Sequence, residues 1–269
     1  MKRILGLLLV LMLLLSGTAL AESAKPLEGK FVPVLPLGVA HQFWQAVKAG
    51  AEQAAARALV LQGFCGDIDP VSWHTGHHEH WPQEVASIGR HVWNRVRRAR
   101  HAPESAVSCL PVAERRLPIP LNVPTLDDLK RDATHLLQHA GSPGHRRFAE
   151  IWIDKALAYR DEMAANPFTD PVPIWACRIG CAVLCAVPFE PFSGHDAVLR
   201  AHHPDLMTIG YANGLTSYLP TRDIYECPGD YAAYEAPRFF SLFPFTPDAP
   251  DLVMNAALQL ITDVQAETA

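Results

Sequence analysis

The chain has 269 residues, 49% of them hydrophobic and 19% charged, with a formal net charge of −5 and six cysteines. That composition is globular rather than disordered, and the length suits one large domain or two small ones. The acidic balance argues against nucleic acid as a partner, because phosphate contacts need a basic face.

Lys2 and Arg3 precede an apolar run from Ile4 to Leu15; Ser16-Gly17-Thr18 then breaks the helix ahead of Ala19-Leu20-Ala21. A positive end, an apolar middle and small residues at the close are the three parts of a secretory signal. Residues 1–21 are therefore expected to be a signal peptide cleaved after Ala21. The run is shorter than the roughly 20 residues that span a bilayer, and no Cys follows the cleavage position to make a lipoprotein. Cleavage leaves 21 basic and 28 acidic residues, a formal charge of −7. The mature chain is expected to be periplasmic or secreted, with no transmembrane segment.

Phe31 to Leu37 reads as a short strand, and from His41 to Leu59 the residues Phe43, Trp44, Val47, Ala51, Ala54 and Ala55 recur at helical spacing. This unit, with Gly38-Val-Ala-His-Gln-Phe-Trp at its join and Lys48-Ala-Gly-Ala-Glu-Gln-Ala-Ala following, resembles the start of a periplasmic sugar-binding protein of ABC transporters. The resemblance covers residues 22–57 of the mature chain and implies a sugar-stacking role for Phe43 and Trp44. Packing of the same two rings into a core is the alternative. One strand and one helix do not make a two-lobed cleft.

From Ala58 the character changes. Leu59-Val-Leu-Gln is a short strand, Gly63-Phe-Cys-Gly-Asp-Ile-Asp-Pro a tight loop, and a His-rich stretch runs on to Trp81. Pro82 to Arg100 reads as a basic-faced helix, and the proline-rich Arg115 to Pro124 as an edge strand or crossover. Thr125 opens a helix to about Ala140. Ser142-Pro143 opens another, which is expected to turn Phe148, Ile151, Trp152 and Tyr159 toward the core. Strands at Pro173–Ile179 and Cys181–Val187, a helix at Ser193–His202, a strand at Leu206–Tyr211 and a last helix at Thr246–Val264 follow. The alternation predicts an α/β fold, a mixed sheet with flanking helices. Cys177, Cys181 and Cys185 sit among apolar residues and are expected to be buried free thiols. The spacing gives no CxxC pair for a zinc-thiolate site.

Three loops carry the chemistry, each after a strand: Gly66-Asp67-Ile68-Asp69-Pro70, Val187-Pro188-Phe189-Glu190-Pro191-Phe192, and Tyr211-Ala-Asn-Gly-Leu-Thr-Ser-Tyr218 with Tyr234-Glu235-Ala236 beyond. Ligands gather at the carboxyl ends of strands in open α/β sheets, and a carboxylate with several tyrosines there could bind and polarise a substrate. In their order and surroundings these loops are similar to the neutral/alkaline non-lysosomal ceramidase family, over about residues 58–265. The family resemblance implies a zinc amidohydrolase that cleaves the N-acyl bond of ceramide or a related lipid amide. It implies that Glu190 and Tyr218 are metal ligands and that Tyr234 is a catalytic tyrosine on the substrate side. Tyr211 and Asn213, in the third loop, are candidates for binding the substrate. Where the family has a serine in Gly-Asp-x-Ser-Pro, this chain has Asp69, a carboxylate that could act as base. The family's two zinc histidines lie upstream of this loop, where this chain has His41 alone. The resemblance therefore implies an incomplete ceramidase-like catalytic domain over 58–269. His74, His77, His78 and His80 are candidates for the missing ligands, with His195, His202 and His203 as further imidazoles and a second chain as another source. A periplasmic sugar-binding component and a non-catalytic lipid-binding remnant are the alternative functions.

Overall fold

The computed structural model describes residues 27–34, 55–69, 87, 89–91 and 110–267. The expected signal, Phe43, Trp44, His74, His77, His78 and His80 lie outside the described residues, as does most of the helix expected at 82–100. The chain divides into two compact units, one of Met1–Gln62 with Asp69–Pro103, the other of Gly63–Ile68 with Glu104–Ala269. No helix among the described residues is long and apolar enough to cross a membrane.

In the first unit, strand β1 (Leu27–Val34) pairs in parallel with β2 (Ala55–Val60), Phe31 standing opposite Arg57 and Val34 opposite Val60. The helical spacing read as far as Leu59 thus gives way at Ala55. Alanine is the best helix former, but intrinsic propensity is a weak determinant, and the parallel ladder with β1 overrides it.

The second unit is built on a four-stranded mixed sheet, ordered β3 (Val112–Leu117), β4 (Val172–Ile179), β5 (Ala182–Ala186) and β7 (Leu206–Ile209). The first two pairings are antiparallel and the β5–β7 pairing is parallel. β4 and β5 form a tight hairpin in which Gly180 takes a φ of 59°, the left-handed conformation that two-residue hairpin turns demand. Cys181 occupies the other loop position and is exposed, contrary to expectation, because a turn residue has no sheet face to hide behind. Cys177 and Cys185 are buried free thiols, and burial pushes the Cys185 thiol up to about 12.

Helices cover this sheet as the sequence anticipates. α1 (Leu126–Gln138) starts at Thr125, whose hydroxyl accepts from the Asp128 N–H at 3.1 Å. α2 (Pro143–Ala165) starts at Ser142, which caps the His145 N–H at 3.1 Å, with Pro143 where a missing N–H costs nothing. α2 buries Ala149, Trp152, Ile153 and Ala156 against Leu129, Ala133 and Phe243. Ile151, expected inside, is exposed, because it sits a residue ahead of the buried Trp152–Ile153 face. α3 (Ser193–His202) lies on the crossover between β5 and β7. After the short α4 (Ala236–Phe239), α5 (Ala249–Ala266) lays Val253, Ala257, Leu260, Ile261 and Val264 on β3, β4 and β5. The main core joins these to Ile174, Ala176, Cys185, Val187 and Phe189.

Candidate functional site

Because β5 and β7 run parallel, the loops leaving them emerge at the same end of the sheet. The ladder continues for a step past β5, Val187 N–H donating to the Ile209 carbonyl at 3.0 Å. The two loops then zip together: Tyr211 N–H donates to the Phe189 carbonyl at 2.8 Å, Ala212 N–H to Val187 at 3.1 Å, and Thr216 N–H to Pro188 at 2.7 Å. Beyond them the two-residue strands β6 (Glu190–Pro191) and β8 (Tyr218–Leu219) pair in parallel, with Glu190 opposite Tyr218. The Glu190 N–H donates to the Ser217 carbonyl at 3.0 Å, and Phe192 N–H to Leu219 at 3.1 Å. Phe189 is fully buried edge-on to Phe245, with ring centroids 5.9 Å apart, and anchors the loop that carries Glu190. Burying one such ring is worth about 1.5–3 kcal/mol.

The glycine loop closes on the same strand ends. Gly66 N–H donates to the Pro191 carbonyl at 2.8 Å, and a Cβ on Gly66 would stand 2.6 Å from the Glu190 carbonyl oxygen. Only glycine permits that approach. The next residue, Asp67, reaches the start of α3, accepting from the Ser193 N–H at 2.6 Å and from the Ser193 hydroxyl at 2.8 Å. A carboxylate there satisfies an orphan N–H and faces the positive end of the helix.

Two tyrosines named from the sequence flank Glu190. Tyr211 adopts a φ of 55°, unusual for a residue with a side chain, and hydrogen-bonds Glu190. Burial raises its phenol pKa, and the bond to Glu190 and that carboxylate's charge raise it further, with Cys65 and Tyr218 adding to the effect. Tyr211 therefore stays protonated and donates to the Glu190 carboxylate. Tyr218 pairs with Glu190 through the backbone and meets Tyr231 edge-on, ring centroids 5.7 Å apart. Asn213 is exposed at the tip of its loop with a φ of 61°.

The Tyr234 hydroxyl donates to the Tyr225 carbonyl, inside the loop structure that follows β8. Tyr234 also borders a cleft of about 440 Å³ lined by Trp152, Phe243, Asp132 and Arg238. Asp69 is exposed and belongs to the first unit. His195 is buried in α3, with Nε2 at 3.2 Å from the Pro220 carbonyl. Burial lowers its pKa, partly offset by hydrogen bonds to Pro220 and Leu219 and by the charges of Asp251 and Asp67. Sequence reasoning passed over Asp67 and Tyr231. Asp67 was legible as a capping carboxylate, but its helix lies 126 positions away; Tyr231 carried no signal beyond the aromatic density around it.

Among the described residues no three His, Cys, Asp or Glu side chains come together as a metal shell. The His195 imidazole, on the helix after Glu190, is turned to the Pro220 backbone carbonyl. The donors described around Glu190, one carboxylate and two phenols, do not by themselves fit the three-ligand shell of a catalytic zinc.

The second unit is thus a mixed α/β domain with a carboxylate–tyrosine cluster at the carboxyl ends of two parallel strands. No family model matches the sequence, and no curated protein matches it. Among solved structures, the chain is similar to a ceramidase complexed with C2, at 14% identity and a TM-score of 0.47, covering 79% of this chain and 39% of that one. It is also similar to neutral ceramidase from Pseudomonas aeruginosa, at 16% identity and a TM-score of 0.37, covering 79% of this chain and 38% of that one. The chain spans about two fifths of the length of these solved proteins.

Proposed function

We propose that this chain is an exported hydrolase of lipid amides such as ceramide, with Glu190 as the carboxylate at its centre. The observation that carries the proposal is the contact of Glu190 with Tyr211 and its pairing with Tyr218, two tyrosines from a different loop. A carboxylate held by a strand end and a protonated phenol can orient and move a proton near a scissile amide. The Tyr211 hydroxyl restrains the Glu190 side chain, and the β6–β8 pairing fixes its backbone. Zinc is part of the proposal through the family resemblance. Its remaining ligands would come from His74, His77, His78 and His80 or from a second chain, and no step is assigned to it.

Hydrolysis of a fluorescent ceramide by the full chain, with and without added zinc, tests this. Turnover is expected to be slow, to fall at least about 100-fold in Glu190→Ala, and to fall about tenfold in Tyr211→Phe, since one positioned acid–base group contributes on that scale. Turnover unchanged in Glu190→Ala would remove Glu190 from the reaction. Ceramide binding without turnover in any condition would favour the non-catalytic lipid-binding alternative.

A further inference from the structure

Four aromatic rings make a continuous series of contacts leading away from Glu190. Tyr218 meets Tyr231 at 5.7 Å, Tyr231 meets Phe239 at 6.4 Å, and Phe239 stacks on Phe148 at 4.3 Å. They come from four different places: β8, the turn Tyr231–Glu235, α4 and α2. Contacts of this kind normally belong to a core, where the rings leave water. Here Tyr231 is 50% exposed and Phe239 57%. Ile151, one turn along α2 from Phe148 and so its neighbour on the helix surface, is 42% exposed. The result is an apolar stripe that starts at the carboxylate and ends on the outer face of α2. Two of the cations beside it are paired, Arg238 with Asp132 at 3.0 Å and Arg147 with Glu150 at 3.2 Å, while the charge of Glu235 reaches Tyr231. The carboxylates near its start, Glu190 and Glu235, disfavour an anionic ligand, and the rings remain the apolar surface on offer.

One class of occupant fits a narrow aromatic stripe with a carboxylate at one end. It is a flexible hydrocarbon chain joined to a polar head. We propose that Tyr231, Phe239 and Phe148 form the binding track for the long alkyl chain of the substrate, with the polar end of that molecule at Glu190. Tyr218 stands at the junction, its ring in the stripe and its backbone paired with Glu190. Burial raises the Tyr231 pKa first, and the charges of Glu190 and Glu235 raise it further, so Tyr231 lies close enough to feel both carboxylates. This inference rests on the lipid-amide reading of Glu190 and adds to it the surface that selects chain length.

The test is equilibrium binding of dansyl-labelled straight-chain acyl amides of increasing length to the full chain, kept below their micelle concentrations. Affinity should rise with each added methylene, by less than the roughly fourfold that full burial gives because the track is open on one side, and then level off once the track is filled. Phe239→Ser and Tyr231→Ser should flatten that dependence, whereas Glu190→Ala should leave it intact; circular dichroism confirms that each variant is folded. Affinity independent of chain length overturns the proposal, as does a length dependence that both serine variants retain. Sedimentation showing a dimer that Phe239→Ser dissociates would assign the stripe to self-association and also overturn it. Hydrolysis of the same amides separates the two readings. Length-dependent binding without turnover sinks the hydrolase and keeps the track, and turnover blind to length does the reverse.

Discussion

Gly66 and Gly210 sit at the same crowded place but with different tolerances. A Cβ on Gly66 would be 2.6 Å from a backbone oxygen of Glu190, an atom that cannot move without shifting the strand. On Gly210 the nearest atoms would be Pro191 Cδ at 3.1 Å and the Phe189 carbonyl oxygen at 3.2 Å, contacts that a few tenths of an ångström relieve. Gly66→Ala is therefore expected to cost about 1–3 kcal/mol, as overpacking does, and Gly210→Ala less. Urea denaturation of the two variants checks the order, and a larger loss at Gly210 would contradict it. The sequence showed both glycines but not which was crowded, because the crowding comes from loops far away in the chain. Glu190, Tyr211 and Tyr218 could be picked out as residue types at strand ends. Their meeting depended on the parallel pairing of β5 with β7, which no local pattern encodes.

At the scale of elements, α3 has no cap from its own sequence. Its N-cap is Phe192, which makes no side-chain cap bond, and the missing acceptor comes from Asp67. This tie joins the glycine loop to the helix that follows Glu190. Asp67→Ala should destabilise the protein by about 1 kcal/mol, the usual cost of losing an N-cap. It should also raise amide exchange in the first turn of α3, while Thr125→Ala, at the start of α1, should leave α3 untouched. An unchanged exchange rate at Ser193 and Gly194 would show that the bond contributes nothing. The helices at 126–138 and 143–165 were legible because their caps Thr125 and Ser142 agree with periodic apolar residues, whereas the cap of the helix at 193–202 comes from a distant loop. The strand at 55–60 was misread because alanine-rich sequence carries a helical pattern, and the parallel partner that decides otherwise lies more than twenty residues earlier.

For the whole molecule, His195 links folding to acidity. Buried in α3, its imidazole is harder to protonate than in the unfolded chain, where its pKa is near 6.5. The unfolded state then binds more protons, so stability rises with pH through this range. The contribution is fully present above about pH 6.5 and is lost as pH falls below that value toward the lowered folded pKa. His203 is shifted the same way, by burial and by the charge of His202. Comparison of His195→Gln with His203→Gln therefore separates the two. Denaturation midpoints measured between about pH 5 and 8 should show a shallower acid decline in His195→Gln, with glutamine able to keep the bond to the Pro220 carbonyl. An unaltered decline would place the acid sensitivity elsewhere.

The edge strand β3 has a consequence for how copies of this protein behave at high concentration. Among the described residues β3 is paired on one side, with β4, and an unpaired row of backbone groups can recruit a strand from a neighbouring molecule and begin aggregation. Its middle carries Glu114, Arg115 and Arg116, all exposed, with Glu114 and Arg116 joined at 3.1 Å. An incoming strand would have to strip these charged groups of water. The charges that contribute little to holding this sheet together thus act as a guard that keeps it from growing.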